Sequence, residues 1–254
     1  MRYFFVNSLK PKDSMINITG SDARHIRAVL RLKPGDTIGL LDGKGFEYQA
    51  EIVELSPGSV NASIIRCCPS TAESPIQVTF AQGFLKERKM DGIVRQLCEL
   101  GITKWLPFIA ERSVPMPNKE QLLTRTIRWE KIAQEAVKQC RRGRIMKIGE
   151  TATFTEVLNL ARGFDLKIAF WEDEPRPVQA ITPEGRVHSV LALIGPEGGF
   201  TRKEIEIAKA HGFVTAGLGP RVLRAETATV AACVLLQYLF GDMGQKNLDK
   251  KKEV

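Results

Sequence analysis

Two glycine-rich turns contain the residues whose types and spacing best suit ligand binding. The first runs from Gly195 to Gly199 and lies between a continuous apolar segment and a helical one. Its glycines let the backbone approach a ligand closely, and Pro196 stiffens the turn. A purely structural turn explains the glycines but not Glu197, which stands at the tip. We predict a ligand site here, because ligands of open α/β sheets bind outside the carboxyl ends of strands.

The second turn runs from Gly217 to Thr227 and leads from the next strand into the last helix. Gly217-x-Gly219 could begin a dinucleotide-binding fingerprint, but position 222 is valine where the third glycine should stand. Pro220 also blocks the immediate start of a helix that would hold a pyrophosphate. The chain has no GxxxxGK[ST] motif either. These features exclude nicotinamide, flavin and P-loop nucleotide folds.

Basic side chains form a further pattern. Three arginines fall at i, i+3 and i+7 of a predicted helix that has Ser21 as its N-cap: Arg24, Arg27 and Arg31. The apolar stripe of the same helix is Ile26, Val29 and Leu30. The arginines could grip phosphates, whose oxygens match a planar guanidinium fork, or they could form a solvated helix face. Both interpretations stay open on this pattern alone.

Composition narrows the class of protein. The chain has 254 residues, is 43% hydrophobic and carries a formal charge of +8, which favours a polyanionic partner such as nucleic acid. Its longest apolar run, residues 230–236, is too short for a membrane span, and its first residues are too weakly apolar for a secretory signal. The five cysteines and three histidines lack zinc-binding spacing. We therefore expect a cytoplasmic protein with reduced thiols and no metal.

The pattern of elements predicts two domains and a tail. Residues 1–70 contain closely spaced strand candidates and a hairpin turn at residues 42–45, which indicates a small β-barrel. Residues 75–242 alternate strands with helices and predict an α/β domain with a largely parallel sheet. One of these helices begins with a capping box formed by Thr201 and Glu204. Residues 243–254 are a charged tail.

Both turns strongly resemble those of the RsmE-type ribosomal RNA uracil-N3 methyltransferases, a family of the SPOUT superfamily. The resemblance is carried by residues 193–201 and, most specifically, by residues 218–228. It extends upstream to residues 25–36, 99–102, 111–113 and 139–142 and so covers nearly the whole chain.

The resemblance implies a fold, a cofactor and an oligomeric state. The fold is a PUA-like N-terminal β-barrel followed by an α/β domain with a trefoil knot. S-adenosylmethionine is bound in that knot, and the last helix lies in a homodimer interface. The implied cofactor-binding residues are Phe170, Trp171, Leu193, Ile194, Gly195, Pro196, Glu197, Gly198, Gly199, Leu218, Gly219, Pro220, Val222 and Leu223.

The implied reaction directs attention to the exit of the second turn. Methyl transfer from a sulfonium is an in-line displacement, so positioning dominates catalysis. Uracil N3 is a poor nucleophile until its proton leaves, and a base and a nearby cation would both help. We predict that Arg224 and Glu226 fill these roles, although Glu226 could simply complement the helix dipole. Residues predicted to hold ribosomal RNA are Arg24, Arg27, Arg31, Arg112, Arg141, Arg142 and Arg144.

Two other functions stay open. A SPOUT enzyme could instead methylate a ribose 2′-oxygen, but such enzymes resemble one another in an early Asn-x-Gly-x-x-x-Arg segment that this chain lacks. A non-catalytic RNA-binding assembly factor would need the basic barrel alone, and the intact cofactor turns argue against it.

Overall fold

The computed structural model describes residues 1–6, 9–86, 88–114, 116–181, 183 and 185–244. The chain forms two units, of which the first combines residues 1–73 with residues 134–145 and the second holds the rest. The long helix α3 (Lys119–Cys140) contributes residues to both units. Most of the predicted charged tail, from residue 245 onward, lies outside the described residues.

The first unit is built on a five-stranded sheet. Its strands are β1 (Tyr3–Phe5), β2 (Met15–Thr19), β3 (Thr37–Leu41), β4 (Phe46–Ser56) and β5 (Ser59–Pro69). The spatial order is β1-β3-β4-β5-β2, with β1 parallel to β3 and the other pairs antiparallel. The predicted hairpin turn joins β3 to β4, and Asp42 accepts hydrogen bonds there from three backbone amides. Alternate residues of β4 are fully buried, because every second side chain of a strand faces the same side: Tyr48, Ala50 and Ile52.

The helix of the first unit differs from its prediction. Helix α1 (Gly20–Arg24) has Thr19 as its N-cap rather than Ser21 and continues as a π-helical turn over His25–Val29. The wider turn changes the register of the predicted apolar stripe, and Val29 is 67% exposed. Arg31 lies beyond the helix with a left-handed φ of 53°, so the three arginines do not form one helical stripe.

The second unit alternates strands and helices as predicted. Its strands are β6 (Gln77–Gly83), β7 (Lys104–Ile109), β8 (Lys147–Ile148), β9 (Ala152–Thr153), β10 (Leu166–Phe170), β11 (Ser189–Ile194) and β12 (Val214–Ala216). Besides α3, its helices are α2 (Lys89–Glu99), α4 (Phe154–Asn159), α5 (Arg202–Ala210) and α6 (Ala225–Leu239). The capping box of Thr201 and Glu204 is present at the start of α5.

All strand pairs of this unit are parallel. The order is β12-β10-β11-β6-β7-β8, with β9 also paired to β7. Strand β11 therefore lies between two strands that precede it in the chain, and the strand order reverses around it. Such a reversal is where ligands of α/β sheets bind. The trefoil knot that the resemblance implies stays a prediction.

Helix α6 packs one face inside its own unit. Thr229, Ala232, Cys233, Leu236 and Gln237 are completely buried. The opposite face leaves three large hydrophobic side chains exposed: Val234, Tyr238 and Leu239. The apolar side chains of α6 are thus divided between an internal contact and an uncovered face.

Candidate functional site

The carboxyl ends of β10, β11 and β12 surround a cavity of about 370 Å³. Three loops line it, and each loop follows one of these strands. Helices α2 and α6 add the remaining walls through Lys89, Ala225 and Ala228. The loop residues that line the cavity are Phe170, Trp171, Glu172, Ile194, Gly195, Pro196, Glu197, Gly199, Leu218, Gly219, Arg221, Val222, Leu223 and Arg224.

Most of the predicted cofactor-binding residues are among these, together with Arg224. Four of the predicted cofactor-binding and catalytic residues are not: Leu193, Gly198, Pro220 and Glu226. Leu193 packs among other apolar side chains in the core, whereas its neighbour Ile194 lines the cavity, because neighbouring residues of a strand face opposite sides of the sheet. Gly198 lies against Arg112, whose guanidinium donates to its carbonyl oxygen at 2.9 Å.

Five cavity residues were not among the predicted cofactor-binding or catalytic residues: Lys89, Glu172, Arg221, Ala225 and Ala228. Glu172 and Arg221 lie in the same loops as predicted residues, because Glu172 directly follows Trp171 and Arg221 directly follows Pro220. Ala225 and Ala228 belong to the predicted last helix, where small side chains leave room for a ligand. No sequence pattern indicated Lys89, because it lies on α2, 108 positions before its partner Glu197 in the chain.

The first glycine turn is folded tightly upon itself. The amide of Gly199 donates to the carbonyl oxygen of Pro196 at 2.9 Å, and Gly199 has a left-handed φ of 67°. A β-carbon on Gly195 would lie 3.1 Å from the carbonyl carbon of Gly199. The Glu172 carboxylate occupies the space beside Gly199. Only glycine leaves the backbone of this turn free to reach a ligand.

Glu197 anchors the tip of that turn. Its Oε1 atom accepts hydrogen bonds from the backbone amide of Lys86 at 3.1 Å and from the Lys89 ammonium at 3.2 Å. Partial burial acts to raise the pKa of Glu197, but these hydrogen bonds outweigh it, and the pKa is lowered. Glu197 is therefore an ionised residue that shapes the loop.

Lys89 lies between two carboxylates. Its ammonium is 3.2 Å from Oε1 of Glu197 and 3.5 Å from Oε2 of Glu226. The hydrogen bond to Glu197 is the main cause that raises the pKa of Lys89, and the charge of Glu226 adds to it. Oε2 of Glu226 is buried, and its long contact with Lys89 leaves it without a short hydrogen bond within the described part of the chain. This oxygen retains the capacity to accept one.

The second turn brings Arg224 to the cavity. Gly219 has a left-handed φ of 99°, and no described atom lies within 4 Å of the position of its missing β-carbon. Val222 is 87% exposed, which is unusual for a large apolar side chain. Arg224 is the N-cap residue of α6, and its carbonyl oxygen accepts the first helical hydrogen bond from Ala228. Because Arg224 precedes the first turn of α6, its exposed side chain lies at the cavity wall and not on a face of the helix.

The predicted RNA-binding arginines differ in exposure. Arg142 is only 3% exposed, and its guanidinium donates to Glu73 at 2.9 Å. The prediction for Arg142 is wrong, because a buried side chain held by a carboxylate cannot reach an RNA phosphate. The other predicted arginines are exposed: Arg24, Arg27, Arg31, Arg112, Arg141 and Arg144. Arg27 donates to the Ser56 carbonyl oxygen at 2.8 Å, and Arg141 lies 5.3 Å from the Tyr3 ring centre.

Two features are not found among the residues with described positions. No group of three or more histidine, cysteine, aspartate or glutamate side chains is arranged to hold a metal ion. No helix there combines the length and hydropathy of a membrane span.

Comparison with known proteins identifies the family of both units. An RNA methyltransferase domain family matches residues 72–237, and an RNA methyltransferase PUA domain family matches residues 18–65. The chain is 33% identical to ribosomal RNA small subunit methyltransferase E of Bacillus subtilis, over 87% of this chain and 89% of the relative. It is 29% identical to the protein of the same name from Aquifex aeolicus, over 89% and 95%.

Solved structures show the same architecture. The chain superposes on ribosomal RNA small subunit methyltransferase E of Neisseria gonorrhoeae, bound to S-adenosylmethionine, with a TM-score of 0.85 and 29% identity. That match covers 96% of this chain and 99% of the other. A methyltransferase of Legionella pneumophila in complex with S-adenosylmethionine gives a TM-score of 0.83 and 27% identity, over 95% and 98%. These matches confirm the α/β fold with a PUA-like N-terminal domain, and the chain belongs to the RNA methyltransferase family that includes ribosomal RNA small subunit methyltransferase E.

Proposed function

We propose that this protein transfers the methyl group of S-adenosylmethionine to N3 of a specific uridine in small-subunit (16S) ribosomal RNA. One observation carries the proposal: both glycine turns and the loop after β10 line a single cavity at the carboxyl ends of parallel strands. Relatives of the same family are named as small-subunit ribosomal RNA methyltransferases, and the Neisseria structure holds S-adenosylmethionine.

The cavity suits this cofactor in shape and in polarity. Apolar side chains such as Trp171, Ile194 and Leu218 provide a wall for the adenine ring. The glycine turns expose backbone groups, and Glu172 offers a carboxylate to hydroxyl or ammonium groups. When bound, S-adenosylmethionine supplies an electrophilic methyl group. The chain itself contributes binding, orientation and handling of the uracil proton.

Two residues at the start of α6 fit the chemistry of uracil N3. Arg224 lines the cavity and is proposed to stabilise the uracil anion. Glu226 is proposed to accept the N3 proton. It does not line the cavity, but it follows the cavity residues Arg224 and Ala225 directly, and its buried Oε2 lies 3.5 Å from the Lys89 ammonium at the cavity wall.

The exposed arginines and the charge of +8 suit an RNA substrate. We propose that Arg24, Arg27, Arg31, Arg112, Arg141 and Arg144 contact phosphates. Each phosphate neutralised on duplex-like RNA contributes about 0.9 to the log–log dependence of affinity on salt. Binding to a 16S ribosomal RNA fragment should therefore weaken steeply between 50 and 200 mM salt. A flat salt response would contradict electrostatic recognition.

The working unit is proposed to be a homodimer that acts in the cytoplasm, where its ribosomal RNA substrate would be found. The exposed apolar side chains of α6, Val234, Tyr238 and Leu239, are the observation that favours a dimer.

Mass spectrometry of ribosomal RNA nucleosides tests the proposed activity. Cells without this gene should lack 3-methyluridine in 16S ribosomal RNA, and the purified enzyme with S-adenosylmethionine should restore it. A missing 2′-O-methylated nucleoside would instead identify a ribose methyltransferase. Unchanged nucleosides together with no calorimetric binding of S-adenosylmethionine would identify a non-catalytic RNA-binding factor.

A further inference from the structure

A buried polar pair connects the first glycine turn to the last helix. Gln82, near the end of β6, and Thr229, on α6, are both completely buried. The Gln82 side-chain amide donates to the carbonyl oxygens of Gly83 at 3.2 Å and Gly195 at 3.3 Å. Its Oε1 atom accepts a hydrogen bond from the Thr229 hydroxyl at 2.5 Å. Gly195 lines the cavity, whereas Gln82 and Thr229 do not. The pair therefore contacts the cavity wall from the side that faces the protein interior.

The hydrogen-bonding partners fix the orientation of both side chains. Gly83 and Gly195 offer only carbonyl oxygens to Gln82, so its NH₂ group must face them. The Gln82 oxygen then faces Thr229, whose hydroxyl is its donor, and the single hydroxyl proton is shared with a second acceptor on α6. The same hydroxyl lies 2.8 Å from the Ala225 carbonyl oxygen, one turn earlier in α6. The pair thus connects the backbone of Gly195 to the helix turn that carries Ala225, another cavity residue.

Strand β6 also touches the same turn directly. A β-carbon on Gly83 would lie 2.8 Å from the carbonyl carbon of Gly195, so only glycine permits this approach. A polar pair in such a dry position stabilises the fold less than apolar packing would, unless every group is paired. Its complete pairing, directed at a ligand-binding turn, indicates a role in setting the position of that turn.

We propose that Gln82 and Thr229 are positioning residues that hold the Gly195 turn against α6 in the geometry that binds S-adenosylmethionine. This inference rests on the proposed function. Neither side chain lines the cavity, so both act through the backbone of Gly195.

Calorimetric binding of S-adenosylmethionine and single-turnover methylation test the proposal on Thr229→Val, Gln82→Met and the double variant. Thr229→Val keeps the shape of the side chain and removes the only donor to the Gln82 oxygen among the described contacts. We expect about tenfold weaker binding, which equals about 1.4 kcal/mol. The double variant should lose little more than either single variant, because residues in direct contact are not additive. Thr229→Ser keeps the hydroxyl and should bind almost like wild type.

Two matched controls separate positioning from general loss of stability. Thr103→Val removes an acceptor for the Val78 amide at the opposite end of β6. Gln237→Met removes a fully buried amide from the far end of α6, where it bonds Ser74 and Leu100. Both should lower the unfolding temperature but leave the affinity for S-adenosylmethionine unchanged.

The outcomes distinguish this inference from the proposed function. Failure of the wild type to bind S-adenosylmethionine overturns the proposed function and this inference with it. Wild-type binding together with unchanged affinity and rate in folded Thr229→Val and Gln82→Met overturns the positioning role alone. Equal loss of affinity in the two controls would also overturn it, because any buried polar deletion would then have the same effect.

Discussion

Arg224 is one of three cationic residues in the described lining of the cavity, together with Lys89 and Arg221. It is the last residue before the first turn of α6, and its exposed side chain lines the cavity. If it stabilises the uracil anion, Arg224→Ala should slow single-turnover methylation about 10²- to 10³-fold and leave binding of S-adenosylmethionine unchanged. Lysine should restore activity only in part, since it lacks the planar fork. Arg202→Ala, an exposed change on α5 outside the cavity lining, is the control and should have no effect.

Glu226 can be tested as a base through its pH profile. If it accepts the N3 proton, Glu226→Gln should be slow at neutral pH and should recover partly at higher pH, where uracil ionises without help. If it only complements the dipole of α6, glutamine should lower stability slightly and leave the rate nearly unchanged. A pH–rate profile of Glu226→Gln that coincides with wild type would eliminate Glu226 as the base.

Glu197 gives the folded state a dependence on pH. Its pKa is lowered in the folded protein, so the stability it contributes is present above its unfolded pKa of about 4.3. That stability is lost as the pH falls through the lower folded-state value. Denaturant unfolding of Glu197→Gln should show a deficit at neutral pH that shrinks below pH of about 4. The exposed Glu206→Gln is the control, and a deficit of Glu197→Gln that stays constant from pH 7 to pH 3 would refute this role.

At the scale of elements, the two turns use glycine for different reasons. A side chain on Gly195 would press against the backbone of Gly199 and Phe200, while one on Gly219 would meet open space but force a left-handed residue. Gly195→Val and Gly219→Val should therefore both lose binding of S-adenosylmethionine and remain folded. Gly163→Val is a matched control for Gly219, since Gly163 also has a positive φ and open space but precedes the amino end of β10, whereas the cavity lies at the carboxyl end of that strand.

Calorimetry on the three valine variants checks this prediction, and circular dichroism confirms that each is folded. Undiminished binding by both turn variants would remove the cavity as the cofactor site. Loss of binding by Gly163→Val as well would show that strain anywhere in the unit is sufficient, and the turns would then have no special role.

At the scale of the whole molecule, the exposed face of α6 predicts a dimer. Tyr238 is 60% exposed, whereas Leu236 is completely buried inside its own unit. A charge on Leu236 would disrupt the core, so Tyr238→Glu is the informative change. It should weaken the dimer and the methylation activity together and leave the monomer folded. Leu160→Glu, at an exposed position following α4, is the control. Light scattering that shows a wild-type monomer at micromolar concentration would refute the dimer.

Features that depend on neighbouring residues could be predicted from the amino-acid sequence. The capping box of α5, the glycine turns and the alternation of buried residues in β4 are set by local backbone geometry or by the two-residue repeat of a strand. The parallel sheet followed from alternating strands and helices, because such strands need crossover connections. Most cavity-lining loop residues were predicted from the two glycine turns and from the family resemblance that these turns carry, and each turn is one continuous segment of the sequence.

Contacts between distant segments became known only from the folded chain. Lys89 meets Glu197 across 108 positions, and Gln82 meets Thr229 across 147. Arg142 looks like a surface cation in sequence, but packing buries it beside Glu73. The π-helical turn after α1 likewise displaces Val29 and Arg31 from their predicted faces. Pairing and burial of this kind arise when separate elements pack together, and the spacing of residues along one element does not contain that information.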